Sequence, residues 1–341
     1  MPASVIGRRN ILAAAASDIH SQIDRDGGDP DEVLFRAGIG AESLADGRNP
    51  LDLGAYVAMM EIAARHTGND NFGLDYGQRF TPEMLGLIGA IVLASPNLGA
   101  ALTALVELFP CHQQATETRL AYDGPLVRLE YRIIDGDIID RRQDAELTMG
   151  MFVNMLRRCL GGHWAPEEVH YEHPRPEHWR AHENAFGAPS EFGQRTNAIV
   201  LHRRSLDAIM PAANLERFSA LRDELRNLAQ HGRQLDLVSR IRGEIRSRLS
   251  QGGSDIARVS HALGIPRWTL QRRLGEMGLT FADTLDSVRR DMARRYLSQP
   301  HLSITDIAFL LGYSELSVFS RACRRWYGAS PQQYRTQWLK G

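Results

Sequence analysis

The sequence predicts an α+β N-terminal domain followed by an all-α domain with two helix-turn-helix motifs joined by a linker helix, and three observations predict it. Hydrophobic spacing in the first two-thirds of the chain switches from helical to strand-like and back, whereas the C-terminal third stays helical throughout. In that C-terminal stretch a short pattern occurs twice, as Asp255-Ile-Ala-Arg-Val-Ser-His-Ala-Leu-Gly-Ile265 and as Asp306-Ile-Ala-Phe-Leu-Leu-Gly-Tyr313, each followed by an Arg-rich helix. A helix, a glycine turn and a basic second helix make a DNA-reading unit, and two on one body can enter successive major-groove faces. At 341 residues the chain can build two cores, placed here at 1–230 and 235–338 with 229–234 as linker.

The first elements read as helices between residues 11 and 66, broken at Gly27-Gly28-Asp29-Pro30 and Asn49-Pro50. Thr81-Pro82 caps a helix through Leu93, and Ser95-Pro96 opens another through Leu98, Leu102, Leu105 and Leu108. The period then becomes two. Thr116, Thr118, Leu120 and Tyr122 alternate with polar residues, Asp123-Gly124 turns, and Val127, Leu129, Tyr131 and Ile133 alternate again, which makes a β-hairpin. A helix spans Arg141 to Leu160, and strands are expected at Val169 to Tyr171 and Ala198 to Leu201. Phe218, Leu221, Leu225 and Leu228 follow with heptad spacing, which suits either a homodimer seam or a stripe docked on its own domain.

The second domain opens on a helix with Leu237, Ile241, Ile245 and Leu249 inward, and Ser254 is placed to cap the next. In the first motif Ile256, Val259, Leu263, Leu270 and Leu274 point inward around Gly264, which leaves Trp268, Gln271, Arg272 and Gly275 on the outer face. In the second, Ser303 and Asp306 have capping-box spacing, Ile307, Leu311, Phe319, Cys323 and Trp326 are inward, and Ser317, Ser320, Arg321 and Arg324 lie outward. Between them Phe281, Leu285, Val288, Met292 and Tyr296 mark one buried helical face, with Thr280 and Asp283 as its cap. Arg267, Trp268, Gln271, Arg272, Ser317, Ser320, Arg321 and Arg324 are the expected DNA-binding residues, because Arg and Gln can contact guanine and adenine edges while Ser and Arg also serve phosphates.

Charge agrees with this division. The net charge is only −1, yet residues 251–341 hold 13 Lys+Arg against 7 Asp+Glu, a surplus of +6 that leaves −7 on the preceding residues. Lys340 is the only lysine, so arginine content alone says little; the clustering of Arg272, Arg273, Arg321, Arg324 and Arg325 on the two second helices says more. Cys111, Cys159 and Cys323 form no CxxC pair, which argues against a disulfide framework and for a reducing cytoplasm. Cys323 falls on a buried stripe and is read as core rather than as a redox sensor, the role also weighed for Cys111. No apolar run nears the ~20 residues that cross a bilayer, and no membrane partner is expected.

The residues from Asp255 to Arg335 closely resemble the AraC/XylS-type DNA-binding domain. The resemblance is carried by Leu270-Gln-Arg-Arg-Leu274, Phe281, Ile307-Ala-Phe-Leu-Leu-Gly-Tyr313, Phe319-Ser-Arg-Ala-Cys-Arg-Arg-Trp-Tyr-Gly328, Ser330-Pro331 and Tyr334-Arg335. Pro266, Trp268 and Cys323 stand where that family commonly has Ser, Arg and Phe. The preceding residues resemble the arabinose-binding-type, ornithine-regulator-like effector region through Gly86-Leu-Ile-Gly89, Ser95-Pro-Asn-Leu-Gly-Ala-Ala-Leu102, Trp164-Ala-Pro166, His173-Pro-Arg-Pro176, Phe186-Gly187 and Asn197-Ala-Ile-Val200.

The resemblance implies a cytoplasmic, effector-controlled transcription regulator, an activator, whose partners are double-stranded DNA, a small-molecule effector, RNA polymerase and a second copy of the chain. His112, Tyr122, Tyr131, Phe152 and Trp164 are the expected effector-binding residues. A ligand-independent DNA binder and a DNA-repair enzyme using the same reader are the alternatives; two front-half cysteines are too few for the latter. No phosphate loop, HExxH, GxSxG or paired-carboxylate signature supports catalysis, and no cofactor is expected. His170, Glu172, His173, His178 and His182 invite a metal reading, but no third ligand of compelling spacing follows, so no metal is expected either.

Overall fold

The computed structural model describes residues 9–229 and 237–338, so most of the expected linker, from residue 230 on, lies outside the described residues. The N-terminal region runs β1 (Asn10–Leu12), α1 (Ile19–Arg25), α2 (Pro30–Ala37), β2 (Pro50–Asp52), α3 (Leu53–Thr67), α4 (Phe72–Arg79), α5 (Gly86–Ala94) and α6 (Leu98–His112). It continues through β3 (Thr116–Asp123), β4 (Leu126–Ile133), α7 (Arg142–Leu160), β5 (Glu168–His170), α8 (Arg180–Phe186), β6 (Ser190–Glu191), β7 (Asn197–His202) and α9 (Leu215–Ala229). Five strands pair in the order β3-β4-β7-β5-β6, antiparallel except for β5 with β6, while β1 and β2 pair separately.

The expected hairpin is present, with Thr118 opposite Tyr131 and Leu120 opposite Leu129. Its alternation sends Val127, Leu129, Tyr131 and Ile133 into the N-terminal core. The intervening Glu130 and Arg132 are buried as well, at 5% and 7% exposure, because the second face of the sheet is covered by the C-terminal region. A single-domain pattern would leave them in water.

Three local expectations change. Thr81-Pro82 starts only a short 3-10 turn, Pro82–Leu85; Gly86 then takes φ 60°, and α5 begins there. Asn97, not Ser95, caps α6 by accepting the Ala100 N–H at 2.8 Å, while the Ser95 hydroxyl donates back to Ile91 O at the end of α5. The stripe on α9 is spent inside the domain: Leu225 is fully buried and Phe218 and Leu221 are half-buried against the core beside α5 and α6. Apolar groups that face their own core have less surface left for a seam, so this packing favours the alternative in which Phe218, Leu221 and Leu225 dock on their own domain; the side chain of Leu228 lies outside the described residues.

The C-terminal region is all helical: α10 (Leu237–Arg246), α11 (Ile256–Ala262), α12 (Arg267–Glu276), α13 (Phe281–Leu297), α14 (Ile304–Leu310), α15 (Leu316–Tyr327) and α16 (Pro331–Trp338). Its core gathers Ile241, Ile245, Val259, Leu270, Val288, Met292, Ile307 and Phe319. Asp255, rather than Ser254, caps α11, through the N–H groups of Ala257 and Arg258 at 3.0 and 3.1 Å. The caps expected at Thr280 and Ser303 are made, each hydroxyl accepting an Asp N–H three residues on at 3.0 Å.

The two regions touch backbone to backbone. Gly136 N–H donates to Ser239 O at 3.2 Å, and a Cβ on Gly243 would lie 2.0 Å from Ile134 O. A Cβ on Gly136 would fall 2.1 Å from that of Arg242. Ion pairs flank this contact: Arg132 Nη2 to Glu244 Oε1 at 2.6 Å, Arg242 Nε to Asp137 Oδ1 at 2.9 Å, and Arg295 to Asp140 and Glu61.

Candidate nucleic-acid interface and effector regions

Both second helices bury one apolar face and turn their polar stripe outward. On α12, Leu270 and Leu274 are fully buried, while Arg267, Trp268, Gln271 and Arg272 are exposed. Arg272 stacks over the Trp268 ring at 5.7 Å and lies 3.5 Å from Glu276 on the same face. On α15, Phe319 and Cys323 are fully buried, Ser317, Arg321 and Arg324 are exposed, and Ser320 is half-buried. Arg321 and Arg324 form no ion pair among the described residues. Arg325, one residue on, is committed elsewhere: it pairs with Asp286 of α13, whose other oxygen accepts the Trp326 indole N–H at 2.7 Å. Burial pushes the Cys323 thiol up to about 12, so it stays protonated and fills space.

The expected effector residues divide. His112, Tyr131 and Phe152 meet through Phe109, whose ring lies 5.7 to 5.9 Å from all three. Tyr122 is instead 55% exposed beneath Arg203, and Trp164 lies half-buried at the core's edge, its carbonyl accepting from Arg157. At the centre of the aromatic group stands Asp144 of α7, which accepts the Tyr131 hydroxyl at 2.6 Å; Gln113 donates to the same hydroxyl at 2.7 Å. Burial raises the Asp144 carboxyl to about 7 and lowers His112 to about 4, so the imidazole is neutral at physiological pH. The space bounded by His112, Gln113, Asp144 and Tyr56 is only about 10 Å³, room for at most one water.

Residues 27–210 match the family described as the arabinose-binding domain of AraC transcription regulators, N-terminal, and residues 259–337 match a helix-turn-helix domain. The chain belongs to the AraC family of transcription regulators. The HTH-type transcriptional regulator VirS of Mycobacterium tuberculosis is 30% identical over 290 residues, 84% of either chain. The ornithine utilization regulator of Pseudomonas aeruginosa is 29% identical over 273 residues, 79% of either chain. The crystal structure of the regulator CdpR from Pseudomonas aeruginosa aligns over 90% of this chain and 96% of its own, at 21% identity and a TM-score of 0.44. This AraC-family chain is therefore a transcription regulator with a helix-turn-helix DNA-binding domain and an arabinose-binding-type N-terminal domain, and not an enzyme. No helix among its described residues is long and apolar enough to cross a membrane.

Two features of this AraC-family chain go beyond its sequence pattern. His173 and His182 come together with Glu146 of α7, which accepts from His182 Nε2 at 2.8 Å and from Arg142 Nε at 2.7 Å, while His178 is exposed. Burial alone would raise the Glu146 carboxyl, but Arg142 and His182 hold it below the usual range. The second feature is a cleft between the two regions of the chain, walled by Arg141, Glu172 and Asn197 on one side and by Arg246, Arg295 and Tyr296 on the other. The sequence signalled His173 and His182 but not Glu146, and gave no sign of the cleft, since each site joins elements far apart along the chain.

Proposed function

We propose that the protein is a small-molecule-controlled, sequence-specific transcriptional activator, with an effector unit at 1–230 and a DNA-reading unit at 235–338, acting in the cytoplasm. Arg267, Trp268, Gln271 and Arg272 meet one major-groove segment, and Ser317, Ser320, Arg321 and Arg324 the next, with α13 fixing the distance between them. What carries the effector half of the proposal is the junction. Gly136 and Gly243 bring two backbones into direct contact, so the docked arrangement is narrowly defined and a small displacement abolishes it. A molecule that binds better to the docked or to the undocked arrangement shifts the balance between them, and with it the placement of α12 and α15.

The test is operator affinity of the intact protein and of Gly243→Ala, each across a metabolite set that includes ornithine, the compound after which one relative is called. Since the new Cβ cannot fit against Ile134 O, the variant should change operator affinity at least about threefold and lose its response to whichever compound affects the parent. Equal affinity and equal response in the two proteins would remove docking from the mechanism.

A further inference from the structure

The cleft between the two regions holds more guanidinium than carboxylate. Arg141, 5% exposed, spends Nη2 on Glu172 Oε2 at 2.8 Å and Nη1 on the Ile133 carbonyl, and its buried Nε has no hydrogen-bond partner. Arg246, from α10 of the DNA-binding region, donates to the backbone oxygen of Ile138 at 2.5 Å and forms no ion pair among the described residues. Arg295 is already held by Asp140 and Glu61. Glu172 is thus the one cleft-lining carboxylate; it pairs with Arg141 and not with Arg246, and its Oε1 lacks a hydrogen-bond partner. Burial, and then the like charge of Arg141, lowers the Arg246 pKa to about 9, so the surroundings resist its charge. An unneutralised charge in such a place is costly, and an oxyanion between the two guanidiniums removes the cost.

Ile139, Met292 and Leu310 add apolar wall, and the cleft holds about 50 Å³, room for about three or four waters, which a short carboxylate can displace. We infer that this cleft binds a small organic carboxylate, clasped between Arg246 of the DNA-binding region and Arg141 of the effector region, with Glu172 Oε1 placed to accept from an amino or hydroxyl group on the same molecule. The inference rests on the effector reading above and gives it a place and a ligand class. A planar carboxylate suits guanidinium forks from both sides, and a ligand held by both regions favours the docked arrangement.

The test is a melting curve of the full chain at constant ionic strength, with butyrate or inorganic phosphate replacing chloride, or with the net-neutral zwitterion 4-aminobutyrate added to the chloride buffer. A saturable rise of about 2–4 °C at ten times the apparent Kd is expected for both carboxylates, with 4-aminobutyrate binding at least about threefold tighter. Glu172→Gln should erase that preference. Arg246→Met should abolish the rise while leaving the unliganded melting temperature equal or higher, because it deletes a buried surplus charge; Arg246→Lys should keep a weaker rise. No saturable rise with either carboxylate, a rise with phosphate alone, or a rise that survives Arg246→Met would overturn the assignment. Operator affinity measured alongside separates the two ideas. A carboxylate that binds without altering it upholds the site and defeats the effector reading, whereas a response to some other compound with no carboxylate binding does the reverse.

Discussion

In the first helix-turn-helix unit α12 is held by two leucines, Leu270 and Leu274, and begins at Pro266 with no side-chain cap. In the second, α15 buries Phe319, Ala322 and Cys323 and is tied to α13 through Asp286, which takes both Arg325 and the Trp326 indole. Two copies of one plan therefore differ in stiffness. The second unit is anchored to the linker helix by packing and polar contacts together, and the first by packing alone. The outward side chains are held the other way round: Arg272 on α12 lies over Trp268 and beside Glu276, whereas Arg321 and Arg324 on α15 form no ion pair among the described residues.

The largest break in this comparison should come from Phe319→Ala, which empties a fully buried ring site and costs about 3–5 kcal/mol by denaturant unfolding, with operator binding lost. Leu270→Ala should cost about 2–4 kcal/mol, and the softer attachment of α12 predicts that hydrogen exchange rises in α11 and α12 while α15 stays protected. If α15 loosened equally, the two units would be one cooperative body. Next, Arg321→Ala should weaken operator binding by about 1–3 kcal/mol and relax one base preference; Arg272→Ala should fall at the low end of that range, because Arg272 must first leave Glu276. Asp286→Asn, which keeps one acceptor for the indole and loses the charge opposite Arg325, should cost about 1 kcal/mol and narrow the gap in exchange protection between the units. Smallest of all, Glu276→Gln should tighten operator binding by up to about 0.5 kcal/mol and do nothing to stability, since that pair is exposed.

The C-terminal helices were legible because each buries a narrow apolar face whose spacing survives in the sequence, and because Thr280 and Ser303 announce their helices by the residue three places on. The β-hairpin was legible for the same reason, with Tyr131 and Leu129 inward at alternate positions. What escaped depends on partners remote in sequence. Arg132 alternates as a solvent residue and is buried only because Glu244, 112 positions later, closes over it. Glu146 gives no hint of His182 or His173, since helix spacing places it among the neighbours of α7 alone. The heptad on α9 left two alternatives open because a stripe two heptads long looks the same whether it faces a second chain or α5. Tyr122 and Trp164 lie apart from the aromatic group around Phe109, and spacing could not foretell it: an aromatic ring signals burial or a surface contact without saying against what.

The glycine contact at the junction has a genetic side. Every substitution at Gly136 or Gly243 adds a side chain to a place where even a methyl meets another backbone or its Cβ, so all point mutations there push in one direction. Elsewhere in the regulator, changes scatter between harmless and disruptive. Under the proposed effector control, a selection for variants that act without the effector, or that ignore it, should therefore return these two codons again and again, with replacements of unrelated chemistry giving one shared phenotype.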